Sequence, residues 1–199
     1  MIRLIRDSYF LAVSLNHFAV DLLNSQLGIL VVFLAPVLGL ANSDIGLIVL
    51  IYTSVGSLTQ PIFGWLADRY STRWLSGASL IWIALWISIA VSTNIQWSIP
   101  LLIVSTLGSA GFHAAGTERA TERGSIIMLG RAATAASLFF LFGLSGHAIG
   151  PALGGFIIER TGIKGVLVLT VLALPVAFNS IYRLFWSADD KRLDSNETI

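Results

Sequence analysis

The sequence predicts an all-α membrane protein, with six transmembrane helices laid out as two inverted triplets. Three observations carry this prediction. Of 199 residues, 55% are hydrophobic and only 12% charged, with a mean hydropathy of +0.81. Soluble domains carry about 25% charged residues, so this chain lacks the ions to cover a water-facing surface. Six stretches reach the roughly 20 apolar residues needed to cross hydrocarbon. Finally, Gly64, Asp68, Arg69 and Arg73 are matched at identical spacing by Gly155, Glu159, Arg160 and Lys164. Each copy closes one apolar stretch and opens the next, and such fixed-period similarity marks an internal repeat.

The first span, expected over 9–37, is long enough to tilt or protrude. It carries His17 and Asp21, four residues apart and therefore on one helical face. Ionisable groups at bilayer depth are costly, by roughly 2.5–3.5 kcal/mol on insertion scales, and usually mark a pathway. The pair reads as a proton-binding site facing a cavity, or alternatively as a neutral pair gluing helices together. Asn16, Asn24 and Gln26 add polarity to the same span.

The second span is expected over 45–67 and the third over 74–93, where Trp82 and Trp86 read as lipid-facing bulk. The fourth, over 98–118, holds His113 near its end. Counted from the ends on the same side, His113 falls at a depth close to that of His17. The fifth, over 126–158, carries Arg131 about one and a half turns in and His147 further on. Arg131 is there either to snorkel to the interface or to meet an anionic substrate. His147 reads as a packing residue. Gly146, Gly150 and Gly154 recur every fourth residue and share one face, a small-residue seam for close helix contact. Pro151 removes a backbone donor and bends the span. The seam is expected to meet an opposing half. The sixth span covers 163–185, and a polar tail follows from Ser187. The chain thus divides into a first triplet over 1–93, a second over 94–186 and a tail over 187–199.

Orientation follows from basic residues. Of 12 Lys and Arg, only Arg160 and Lys164 fall on one side of the predicted topology. The positive-inside rule then puts both termini in the cytoplasm and the chain in the cell membrane. Trp65, Trp74, Trp97 and Trp186 lie near span ends, as interfacial aromatic belts require. A net charge of +1 argues against nucleic acid as a partner. With no cysteine, thiol catalysis and Cys-type zinc sites are excluded. No His-Glu-x-x-His helix, nucleophile elbow or phosphate loop occurs, so neither an enzyme nor a cofactor is expected. Three scattered histidines give no metal-ligand spacing.

The segment GWLADRYSTRWL, Gly64 to Leu75, resembles the loop motif of the major facilitator superfamily through Gly64, Leu66, Ala67, Asp68, Arg69 and Arg73. Ser71 and Thr72 replace a glycine and a basic residue of that motif. Gly146, Gly150, Pro151, Gly154 and Gly155 are similar to the superfamily's exporter element. His17, Asp21, Gln60-Pro61 and the run Gly108 to His113 resemble the fosmidomycin-resistance group of drug exporters. That group continues its histidine with proline and glutamate, where this chain has Ala114 and Ala115. A mid-span arginine of many proton-coupled members is missing near Ser105 to Gly108.

The resemblance implies one six-helix half of a transporter fold, completed by a homodimer or by a second half. It implies a gate at Gly64, Asp68, Arg69 and Arg73, with Asp68 favouring a helix N-terminus of the other half and Arg119 and Arg123 joining. His17, Asp21, His113 and Arg131 are the candidates for proton and substrate binding. The expected function is secondary transport, as proton-coupled export of a small organic molecule or drug. The alternative is a non-transporting half kept as a scaffold or partner subunit, or a truncated gene product.

Overall fold

A computed structural model describes residues 2–70 and 74–186. Among these residues there is no strand, and six helical segments are long and apolar enough to cross a membrane. A short helix α1 (Ile2–Arg6) precedes α2 (Ser8–Asn24). Asp7 starts α2 by accepting the Phe10 N–H at 2.8 Å, satisfying one of the donors a helix start leaves free. The same carboxylate takes a two-pronged contact from the Arg123 guanidinium, at 2.7 and 3.2 Å. One side chain therefore caps the first span and ties it to the fourth.

The first span is not one helix. α2 ends at Asn24, and α3 (Gln26–Leu38) resumes after Ser25. At this joint the Leu22 carbonyl accepts from Ser25 Oγ at 3.0 Å and from Gln26 Nε2 at 2.7 Å. Side chains inserted into the carbonyl ladder are a recognised cause of helix breaks. Asn24, beside the joint, accepts from the Tyr52 hydroxyl of α4 through both its side chain and its carbonyl.

Next come α4 (Asn42–Arg69), α5 (Leu75–Ser92) and α6 (Ile95–Ile127). Trp82 of α5 donates to the Val104 carbonyl of α6 at 3.0 Å, so its indole serves packing and not lipid contact alone. α6 runs nine residues past the predicted end of the fourth span and stops only at Ile127. A reversal over Met128–Gly130 follows, with Leu129 at φ 53° and Gly130 at φ 89°. Gly130 suits this left-handed turn, and its N–H closes on the Ser125 carbonyl at 2.8 Å. α7 (Ala132–Thr161) and, after a 3₁₀ turn at Ile163–Val166, α8 (Leu167–Trp186) complete the fold.

Burial is uneven. About half of the apolar stretch is covered in the first, third and fourth spans, but only 6% in α4 and 28% in α7. α4 leans mainly on α6 and lightly on α3. Its buried residues are Tyr52 and Gly56, while Ser57 and Gln60 lie exposed.

Candidate functional site

α2, α6 and α7 meet around a buried polar cluster. His17 and Asp21 sit one turn apart on α2, with His17 Nε2 3.3 Å from Asp21 Oδ2. His113 approaches from the middle of α6, its Nε2 3.4 Å from Asp21 Oδ1. Each carboxylate oxygen therefore faces its own imidazole. Side-chain exposure is graded across the three: 2% for His17, 13% for Asp21 and 25% for His113.

The outer nitrogens fix the ring states. His17 Nδ1 lies 3.0 Å from the Phe139 carbonyl, and His113 Nδ1 lies 2.8 Å from the Ser109 carbonyl. A carbonyl only accepts, so both Nδ1 atoms carry hydrogen and donate. Each Nε2 then presents either a lone pair or a proton to Asp21. The cluster thus sets two imidazole–carboxylate contacts side by side.

Aromatic rings enclose the buried end. Phe139 stacks on His17 with centroids 4.1 Å apart, and Phe112 lies behind at 5.3 Å. The wall on the α7 side is Gly143. A Cβ there would fall inside contact distance of His17 Nε2 and Cε1, and 2.7 Å from Asp21 Oδ2. Neither Gly143 nor Phe139 stood out in the sequence. The signal for Gly143 was its place one turn before Gly146, on the same small-residue side.

The glycine seam has a different partner from the one expected. A Cβ at Gly146 would collide with the Phe18 carbonyl and stand 3.1 Å from the Leu22 nitrogen. At Gly150 it would meet Ser25 Oγ and the Leu22 carbonyl, and at Gly154 it would meet Gln26 Oε1. The seam thus closes on α2 and α3 of the same chain, not on an opposing half. Gly155 stands off it, with only Ile29 at an ordinary 3.6 Å. Pro151 lies within α7, exposed.

Arg131 also differs from expectation. It precedes α7 as the residue flanking its first turn, because the reversal at Gly130 ends the preceding helix there. It is exposed and shares an open cleft of about 690 Å³ with Ile2, Arg3, Ile127, Met128 and Leu129, none of them in the polar cluster. His147 is exposed on α7.

The candidate gate sits at the end of α4. Asp68 and Arg69 are exposed, and Arg69 lies over the Trp65 ring at 5.6 Å. Gly64 has open space where its Cβ would project. Arg73 lies outside the described residues. Within this chain Arg119 contacts Glu122 at 3.4 Å, and Arg123 holds Asp7.

Comparison with known proteins agrees with this architecture. The family model described as Major Facilitator Superfamily matches residues 9–198. The chain is 29% identical over 175 residues to the fosmidomycin resistance protein of Escherichia coli (strain K12), covering 83% of this chain and 40% of that protein. It is 29% identical over 126 residues to protein spinster homolog 3 of Mus musculus, covering 62% of this chain and 24% of that one. It is 28% identical over 119 residues to the MFS-type efflux transporter pyiT of Pyricularia grisea, covering 56% and 18% respectively. The chain thus spans less than half the length of these relatives. No solved structure matches it.

Proposed function

The chain belongs to the Major Facilitator Superfamily, and on that premise we propose that it is a half-size secondary transporter exporting a small organic molecule or drug against proton entry. The observation that carries the proposal is the meeting of His17, Asp21 and His113, two imidazoles on one carboxylate inside a membrane-spanning bundle. Buried ionisable groups in a span are costly, and a structural subunit gains nothing from them. Protons enter from the His113 side, the most exposed member, and reach His17 through Asp21. The names of two relatives, a resistance protein and an efflux transporter, support the direction of transport and the drug-like cargo. The protein sits in the cell membrane with both termini cytoplasmic, and its spans form two inverted triplets, 1–93 and 94–186.

Asp21→Asn keeps the shape of the side chain and removes its charge. In proteoliposomes loaded with a pH-sensitive dye and offered a drug panel, the unaltered chain is expected to move protons with a cargo. Asp21→Asn is expected to lose that flux at least tenfold while its helical content stays the same. Flux that survives the substitution would rule out the cluster as the coupling site. Absence of flux from the unaltered chain would favour the non-transporting scaffold.

A second copy, or a second six-helix half, completes the transporter. Ser57 and Gln60 on α4 and His147 on α7 are polar, exposed and within spanning helices, which suits a protein or water-filled face better than lipid. The two halves of this fold are parallel and related by an axis along the membrane normal, which identical chains inserted in one orientation satisfy. Native mass spectrometry from detergent is expected to give two chains of 21.4 kDa. A single chain at every concentration would overturn the homodimer.

A further inference from the structure

We propose that His17, Asp21 and His113 also form a binding site for one divalent transition-metal ion of the zinc class. The proposal rests on the geometry of the three side chains and not on the transport reading. Their ligand atoms all lie within 4.8 Å of one another. With metal–ligand bonds of about 2.1 Å, neighbouring atoms of a tetrahedral shell stand roughly 3.4 Å apart. The two imidazole-to-carboxylate separations are 3.3 and 3.4 Å. The two separations run to different oxygens of Asp21, so binding through one oxygen asks the carboxylate to turn and the imidazoles to draw closer, and His113 is the most exposed of the three.

The outer nitrogens of both imidazoles are already engaged as well. Histidines that hold a metal through one nitrogen almost always donate the other N–H to a carbonyl or carboxylate. Here both Nδ1 atoms do so, to the Phe139 and Ser109 carbonyls. That arrangement turns both Nε2 lone pairs toward Asp21. Two imidazoles and one carboxylate suit zinc, nickel or cobalt and disfavour magnesium and calcium, which take oxygen. Gly143 gives the clearance, since it places no side chain against His17 Nε2 or Asp21 Oδ2. Three protein ligands leave a fourth position for water or a cargo molecule. The lone pairs that would bind the ion are those that would bind protons, so the two occupants exclude each other. An ion held there would also pin α2 to α6.

The test uses the full chain purified in detergent without a polyhistidine tag, titrated with zinc chloride in a calorimeter. One ion per chain is expected. Affinity should fall at least tenfold in His113→Ala and in Asp21→Asn, two variants on different helices, each checked for retained helical content. His147→Ala, which alters the exposed histidine on α7, should bind as the unaltered chain does. Absence of saturable binding, affinity in either cluster variant equal to that of the unaltered chain, or loss in His147→Ala would each overturn the site. Zinc binding without proton flux would keep this site and defeat the transport reading. Flux without zinc binding would do the reverse.

Discussion

Gly143→Ala is expected to abolish proton-linked flux and to lower the thermal midpoint of the purified protein by several degrees. The new Cβ would enter the space of His17 Nε2 and Cε1 and stand 2.7 Å from Asp21 Oδ2. His17 has nowhere to retreat. Its ring is buried, stacked at 4.1 Å on Phe139 and bonded to the Phe139 carbonyl. Phe139 lies one turn before Gly143 on the same helix, so moving α7 outward pulls the carbonyl away too. Alanine favours an isolated helix over glycine by about 1 kcal/mol. Overpacking a tight contact costs typically about 1–3 kcal/mol, and here the clash also separates the polar groups that the site needs. Unchanged flux with an unchanged midpoint would show that the working site lies elsewhere.

Gly146→Ala is expected to have the larger effect on assembly. Its clash is with the Phe18 carbonyl, backed by the Leu22 nitrogen at 3.1 Å. Backbone atoms of a packed helix offer no flexible end to swing aside, so α2 and α7 must part along their whole contact. Expected outcomes are a sharp loss of monodisperse protein on gel filtration and loss of transport. Gly155→Ala, one residue beyond the seam, meets only Ile29 at 3.6 Å and is expected to be silent. Equal behaviour of the two variants would show that the seam does not hold the fold together.

Hydropathy alone made the six spans readable, because each crossing must carry its own apolar length. The four-residue spacing put His17 and Asp21 on one face, and counting depth brought His113 to their level. What periodicity cannot supply is the identity of a neighbour. The glycine face of α7 was visible as a face, but its partner, α2, follows from packing between segments distant in sequence. Arg131 was misplaced because Ser125 to Met128 reads as apolar, and a single left-handed turn ending at Gly130 decides where the helix restarts. The joint at Ser25 was hidden for a similar reason. It depends on two side chains taking one carbonyl, within an apolar run that gives no break in hydropathy.

The sparse attachment of α4 bears on how the protein is made. Its main support, α6, is a later stretch of the same chain, so the ribosome releases α4 into the bilayer well before its brace exists. Until then α4 rests on its light contact with α3 and on the Tyr52 bond to Asn24. Synthesis that stalls before α6 leaves a stranded segment, the kind of orphan that membrane proteases clear.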